Sequence, residues 1–161
     1  MSVTGQIVAT YTGPRKVMRR LLTMPFNEGR ALAIALAGCG VIFVGQWPRL
    51  AREAHMQDEE IYPLIGGALL GWMFIMPLVL YLLAFISHLI AQAASGEGAA
   101  YGARLALFWA MLASSPVMLL CGMIAGFVGP GPGLTLVQLL WLLVLLWVWL
   151  ASLYEVNWSA K

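Results

Sequence analysis

The chain has 161 residues, of which 61% are hydrophobic and only 10% carry a charge. Soluble domains carry charges on about a quarter of their residues, so this composition and a mean hydropathy of +0.86 exclude a water-soluble protein. They indicate an integral membrane protein of one domain, residues 1–161. The net charge of +2 is small, and no aqueous domain is present to carry a surface for nucleic acid, so we expect no nucleic-acid partner.

The first element along the chain is a short basic helix that we predict over residues 14–24. Its side chains form an apolar set and a cationic set, namely Val17, Met18, Leu21 and Leu22 against Arg15, Lys16, Arg19 and Arg20. Both sets repeat at i, i+1, i+4 and i+5, which places them on nearly opposite faces of a helix. We therefore predict a helix on the membrane surface, with its apolar face in the bilayer and its four cations on anionic lipids. Each such cation adds about 1 kcal/mol near an anionic surface.

Four apolar segments follow, and each is long enough for a membrane-spanning helix of roughly 17–25 residues. The segments are residues 31–47, 62–91, 104–128 and 133–154. Residues 128–133 form an uncharged run of glycine and proline, so we expect the last two segments to make an antiparallel hairpin. The predicted fold class is an all-α integral membrane protein, an antiparallel bundle of four transmembrane helices preceded by the short amphipathic interfacial helix.

Lysine and arginine are divided unequally between the two ends of this predicted bundle. The end that holds both termini has seven, Arg15, Lys16, Arg19, Arg20, Arg30, Arg104 and Lys161, and the opposite end has Arg49 and Arg52. Because positive residues are retained on the cytoplasmic side, we predict that both termini are cytoplasmic. A pure topology role for the cations of the basic helix is an alternative that is compatible with the surface helix.

Two pairs of glycines with four-residue spacing lie inside the predicted spans. Gly67 and Gly71 are in the second span, and Gly122 and Gly126 are in the third. Glycines at this spacing allow two helices to approach closely. We predict that both pairs pack helices together within the bundle, and a homodimer face is the alternative.

Prolines inside two of the spans predict local distortions. Pro77 interrupts the second span, where we expect a kink or a strong tilt. In the third span, Ser114, Ser115 and Pro116 stand together at mid-membrane. Because proline lacks a backbone donor and serine hydroxyls satisfy freed backbone groups, we predict a locally stabilised kink there. A hinge or a small-solute site is the alternative.

Catalytic and cofactor chemistry have no candidate residues in this sequence. It has no nucleophile beside a base, no phosphate-binding glycine loop and no CxxC pair, so we predict no enzyme activity and no cofactor. Cys39 and Cys121 lie in apolar runs and are expected to be reduced thiols. His55 has Asp58 and Glu59 at helical spacing, but we expect a solvated loop there and no metal site. No Asp, Glu, Lys or Arg lies deep in a span, which argues against an ion-coupled transporter.

The sequence also contains four distinctive blocks, IVATYTGPRKVMRRLL (7–22), QWPRLAREAH (46–55), YGARLALFWAMLASSP (101–116) and GFVGPGP (126–132). They resemble a group of small alphaproteobacterial membrane proteins classed with the Yip1 family. That family is polytopic and helical, and its eukaryotic members take part in vesicle trafficking and bind small GTPases of the Rab type. Its members are described with five spans and a long N-terminal region, whereas we predict four spans preceded by about 30 residues. The resemblance implies a non-enzymatic protein of the bacterial inner membrane.

Spans and resemblance together predict a membrane scaffold or membrane-organising protein that acts through the basic helix and the glycine-bearing helix faces. Its expected partners are anionic lipids, and other integral membrane subunits or a second copy of the chain. The first alternative is an accessory or assembly subunit of a larger respiratory or photosynthetic complex, because Trp141, Trp147 and Trp149 suit the fourth span for docking. The second alternative is a small-solute channel or carrier that uses the kink at Ser114 and Ser115.

Overall fold

The computed structural model describes residues 3–158, and within this range the chain is helical with no strand. This part of the chain holds eight α-helices, with one π-helical segment, Leu70–Ile75, between the fifth and the sixth. In chain order the α-helices are α1 (Val3–Thr12), α2 (Pro14–Leu22), α3 (Glu28–Gly45), α4 (Trp47–Gln57), α5 (Ile61–Leu69), α6 (Met76–Ala93), α7 (Ala100–Phe127) and α8 (Pro132–Trp158).

Four stretches of helix are long and apolar enough to cross a membrane, namely α3 with α4, α5 with α6, α7, and α8. The all-helical fold and the presence of four candidate spans, both predicted from the sequence, are therefore confirmed. The first span differs most from its predicted bounds, because its helix extends to Gln57 instead of ending at residue 47.

α7 is the central helix of the bundle. In its most apolar stretch 61% of the residues are buried, compared with 17% in the span of α5 and α6 and 6% in α8. It packs against α3, α4, α6 and α8, and its fully buried side chains include Phe108, Trp109 and Met111. Because α8 contacts α7 along one side and α2 near its end, most of its apolar surface is left uncovered by the described residues.

α3 and α4 lie close to α7 at two glycines of α7, Gly122 and Gly126. A Cβ added to Gly122 would lie 1.7 Å from the carbonyl oxygen of Gly45, and one added to Gly126 would lie 2.4 Å from Cβ of Pro48. Side chains at these two positions would force the helices apart, so this predicted glycine pair lies at a close helix contact. Gly45 of the first span pairs with Gly122, and Pro48, further along the first span, pairs with Gly126, further along the third. The first and third spans therefore run in parallel.

The other predicted packing pair, Gly67 and Gly71, lies on an open face. A Cβ at either position would meet no neighbouring atom within 4 Å among the described residues. Both glycines are turned away from the neighbouring helices, since α5, which holds Gly67, contacts α4, and the π-helical segment, which holds Gly71, contacts α3 through other residues. The expectation that Gly67 and Gly71 pack two helices within the bundle is therefore corrected.

The first span continues through Pro48 into α4. Gln46 keeps a helical backbone (φ −77°, ψ −18°), and Pro48 stands in the first turn of α4, where a missing N–H costs no helical hydrogen bond. Arg52 then donates to the carbonyl oxygens of Gly126 (3.2 Å) and Phe127 (3.5 Å) at the end of α7. The charged segment between the first two spans, expected from the sequence to be a solvated loop with one or two helical turns, forms about three turns of helix packed on α7.

Pro77 is preceded by the π-helical segment. The N–H of Met76 donates to the carbonyl oxygen of Gly71, five residues earlier, which is the spacing of a π-turn. Such a wide turn accommodates a proline, which has no N–H of its own to continue an α-helical ladder. The structure therefore places a widened turn where the sequence predicted a kink or a tilt.

α7 continues through Pro116 without interruption. The hydroxyl of Ser115 donates to the carbonyl oxygen of Leu112 at 2.7 Å, and this is the carbonyl that the missing N–H of Pro116 leaves open. The hydroxyl of Ser114 donates to the carbonyl oxygen of Met111 at 3.1 Å. Both serines are buried, and both hydroxyl protons are donated to backbone carbonyls of the same helix. This geometry favours a role in stabilising the helix at Pro116 over a role as a small-solute site.

Candidate functional site

α2 turns its cations outward and buries three of its four predicted apolar side chains in the protein, while Leu22 is exposed. Val17, Met18 and Leu21 are 7%, 0% and 3% exposed and belong to the hydrophobic core. The predicted burial of this face in the bilayer is therefore corrected, because α8 supplies the apolar surface on which α2 packs. The helix ends at Leu22 instead of residue 24. The exposed cationic set is Arg15, Lys16, Arg19 and Arg20.

A second short helix, α1, precedes α2 and is absent from the sequence prediction. The indole N–H of Trp109 donates to the hydroxyl of Thr10 (3.0 Å), and the hydroxyl of Tyr11 donates to the carbonyl oxygen of Ala113 (2.8 Å). Burial raises the pKa of the Tyr11 phenol above its ordinary value of 10.0. α1 is held by polar side chains rather than by an apolar stripe, so its sequence carries no periodic signal.

An ion pair fastens α2 to the end of α8. Nε of Arg19 lies 2.7 Å from Oε1 of Glu155, whose side chain is only 4% exposed while that of Arg19 is 68% exposed. The hydrogen bond to Glu155 raises the pKa of the Arg19 guanidinium above its usual range. Glu155 is not among the residues predicted to be functional, although a carboxylate next to an apolar span is a signal, since a buried charge requires a partner.

Arg15 and Lys16 border an open cleft between α2 and α8, which we call the α2–α8 cleft. It has a volume of about 600 Å³. On the α2 side it is lined by Gly13, Pro14, Arg15 and Lys16, and on the α8 side by Trp147, Leu150, Ala151 and Tyr154. The guanidinium carbon of Arg15 stands 4.4 Å from the centroid of the Tyr154 ring, a cation–π geometry that orients this side chain.

α2 and the C-terminal part of α8 lie at one end of the bundle, which we call the α2 end. There, Arg104 near the start of α7 forms an ion pair with Glu28 at the start of α3. The backbone N–H of Glu97, in the turn after α6, donates to the carbonyl oxygen of Asn157 at 3.2 Å. The basic helix, the turn between the second and third spans, and the end of α8 therefore share one end of the bundle, as the predicted topology requires.

The opposite end of the bundle has a second, largely apolar groove of about 730 Å³ between α4, α5 and the end of α7. His55 lines it, but among residues 3–158 no group of three or more His, Cys, Asp or Glu side chains is placed to hold a metal ion. Cys39 and Cys121 are buried free thiols.

Within the α2–α8 cleft the functional groups are a guanidinium, an ammonium, two aromatic rings and aliphatic side chains. This combination has the chemistry to bind an anion beside apolar chains, and none of the lining residues is a carboxylate or a nucleophile of acyl transfer. Comparisons with family models, with curated proteins and with solved structures find no match for this chain.

Proposed function

We propose that this chain is a non-enzymatic membrane scaffold that holds the cationic helix α2 on an anionic membrane surface and offers exposed helix faces to other membrane components. Membership of the Yip1 family and residence in the bacterial inner membrane belong to this proposal and rest on the four sequence blocks alone. Six of the seven lysine and arginine residues predicted at the α2 end lie within residues 3–158, and Lys161 lies outside the described residues. Their excess over the two at the opposite end supports a cytoplasmic location for the α2 end.

One observation carries the proposal, namely that α2 is docked rather than free. Its apolar residues Val17, Met18 and Leu21 are used by the protein core, and Arg19 is bound to Glu155. The other three cations of α2, Arg15, Lys16 and Arg20, are exposed on the docked helix, and Arg15 and Lys16 stand beside the exposed end of α8. A signal that sets membrane topology needs only positive charge and no fixed position. A helix docked on the protein holds its cations at the membrane surface, where they can stay in contact with anionic headgroups.

Lipid selectivity in a reconstituted bilayer tests this function. The purified protein is placed in phosphatidylcholine membranes with a trace of spin-labelled phosphatidylglycerol or spin-labelled phosphatidylcholine, and the motionally restricted fraction of each label is measured. We expect selectivity for the anionic label, lost in the variant R15Q/K16Q/R20Q and weakened at high salt because exposed charges are screened. Arg19 is retained in this variant so that α2 stays docked.

The matched control is R49Q at the opposite end of the bundle, which is expected to keep the selectivity. Equal restriction of the two labels by the unaltered protein contradicts the proposed function. Selectivity that survives removal of the three cations contradicts the role assigned to α2.

A second candidate function is that of an accessory subunit docked to another membrane protein or to a second copy, and Gln138 favours it. This side chain is exposed on α8 and makes no hydrogen bond to another described residue. It stands about 9 Å along α8 from Pro132, within the apolar span. An amide in hydrocarbon is stabilised by a hydrogen bond to a neighbouring helix, so the position is suited to a helix contact.

Gentle extraction of the tagged protein from its native membrane tests this candidate. We expect a stoichiometric partner, or a homo-oligomer, that is lost in the Gln138→Leu variant and retained in the Gln138→Asn variant. A partner that remains with Gln138→Leu rules out the contact at this position. Purification as a monomer with lipid alone argues against the accessory role and leaves the lipid contact of α2 in place.

A further inference from the structure

The α2–α8 cleft has two walls of different chemistry. One wall carries Arg15 and Lys16, and the other is formed by Trp147, Leu150 and Tyr154 of α8. Its volume of about 600 Å³ falls in the range of roughly 300–1,000 Å³ that is typical of ligand sites. A molecule that fills it must therefore be anionic at one end and apolar along its length.

The polar wall has unused hydrogen-bonding capacity. Among the described residues, neither the ammonium of Lys16 nor the guanidinium of Arg15 donates to a protein acceptor. The guanidinium carbon of Arg15 stands over the face of the Tyr154 ring, a position that leaves the N–H groups of Arg15 available to a ligand. A guanidinium group donates two parallel hydrogen bonds to two oxygens of a phosphate, and an ammonium group adds a positive point charge beside it. The nearby carboxylate, Glu155, is already bound to Arg19, so the cleft remains positive.

The apolar wall opens onto the exposed surface of α8. Leu150, Trp147 and Leu143 are 58%, 47% and 64% exposed and lie on that surface in succession toward mid-span. An acyl chain placed along them continues into the bilayer, while the headgroup reaches Arg15 and Lys16. A small soluble anion makes no use of such a wall, which is why the geometry favours a lipid over free phosphate.

We infer that the α2–α8 cleft binds one molecule of an anionic phospholipid, with its phosphate on Arg15 and Lys16 and an acyl chain along Leu150 and Trp147. This inference rests on the proposed function in one respect, because α2 must face a leaflet that contains anionic lipid. It goes further in assigning a single site with a defined stoichiometry, in place of a diffuse attraction between a charged surface and a membrane.

Two kinds of variant test the two walls separately. R15Q/K16Q removes the cations and leaves the cleft open. Ala151→Phe keeps the cations and fills part of the cleft with a larger side chain. Leu150→Ala removes apolar surface from the same wall and serves as a second variant if Ala151→Phe disturbs folding. The control R30Q/R49Q removes the same number of positive charges outside the lining of the cleft. Thermal unfolding of every variant is measured alongside.

Binding is measured on the full chain in neutral detergent by native mass spectrometry, during titration with phosphatidylglycerol or with phosphatidylcholine. We expect one phosphatidylglycerol to bind the unaltered protein preferentially. R15Q/K16Q is expected to weaken it at least about tenfold, the size expected for losing charge-assisted hydrogen bonds. Ala151→Phe and Leu150→Ala are also expected to weaken it, whereas the control binds as the unaltered protein does.

Three outcomes overturn the inference. Binding by R15Q/K16Q at the affinity of the unaltered protein excludes the assigned cations. An equal loss in R30Q/R49Q shows a diffuse electrostatic attraction, and the proposed function then stands if the bilayer selectivity described above persists. Displacement of the lipid by inorganic phosphate, with no effect of Ala151→Phe or Leu150→Ala, identifies a site for a soluble anion. If the bilayer shows no selectivity at all, the proposed function itself has failed.

Discussion

Arg19 on α2 and Glu155 on α8 are joined by a 2.7 Å ion pair in which the carboxylate is buried and the guanidinium is largely exposed. The pair couples the N-terminal helices to the last turns of the last span. A carboxylate that is 4% exposed is stable only with hydrogen-bonding partners, so α2 has to dock for α8 to keep its charge in this position.

We expect Arg19→Gln to lower the melting temperature in detergent and to speed amide exchange over residues 14–22, because it leaves the Glu155 carboxylate without its Arg19 partner. Glu155→Gln is expected to have a smaller effect, since a neutral amide costs less to bury. The double variant R19Q/E155Q should recover part of the loss caused by Arg19→Gln. Equal and additive effects of the two single changes would show that the residues do not interact.

Tyr11→Phe is expected to loosen α1, since it removes the hydrogen bond to the Ala113 carbonyl oxygen and costs about 1 kcal/mol of stability. Because folding raises the pKa of Tyr11, the hydrogen-bonded phenol contributes fully below the ordinary pKa of 10.0 and loses its contribution as the pH rises through the raised pKa.

The measurement for this prediction is the stability difference between the unaltered protein and Tyr11→Phe across alkaline pH. The difference should be constant below pH 10 and should shrink above it. Tyr62→Phe is the control, because Tyr62 is 78% exposed and lies at the start of α5. A difference that does not change with pH would contradict the role assigned to the phenol proton.

Gly122→Ala should destabilise the bundle by about 1–3 kcal/mol, because the new Cβ collides with the backbone of Gly45 and separates the first and third spans. Gly67→Ala is the matched control, since its Cβ meets open space, and it is expected to be neutral within about 0.5 kcal/mol or slightly stabilising. Unfolding in a denaturing detergent measures both. Comparable losses in the two variants would show that Gly67 also packs against a neighbour, such as a second copy.

Ser115→Ala should cost about 1–2 kcal/mol, because the buried carbonyl of Leu112 loses the hydroxyl that replaces the N–H missing from Pro116. In a Pro116→Ala background, the restored backbone N–H can bond that carbonyl, so the cost of Ser115→Ala should fall markedly. A double-mutant cycle on unfolding free energies measures this coupling. Additivity of the two changes would contradict the proposed substitution of hydroxyl for amide.

The membrane class, the all-helical fold and the four spans follow from the sequence, because an apolar run of about 20 residues has few alternatives to a spanning helix. The bond from Ser115 to Leu112 also conforms to a local rule, since it links residues within one turn of one helix. The amphipathic spacing of α2 likewise indicates which side chains share a face. These are statements about neighbours along the chain, and the local pattern is enough to make them.

Only the tertiary structure decided what those faces touch. Met18 is buried by protein and not by lipid, α4 continues past Pro48 because Gly126 and Arg52 hold it on α7, and Gly67 meets nothing where Gly122 meets Gly45. The physical reason is that hydrocarbon and a neighbouring helix are equally apolar. A periodic pattern therefore specifies that a side chain avoids water, but the partner that buries it depends on contacts between residues distant along the chain.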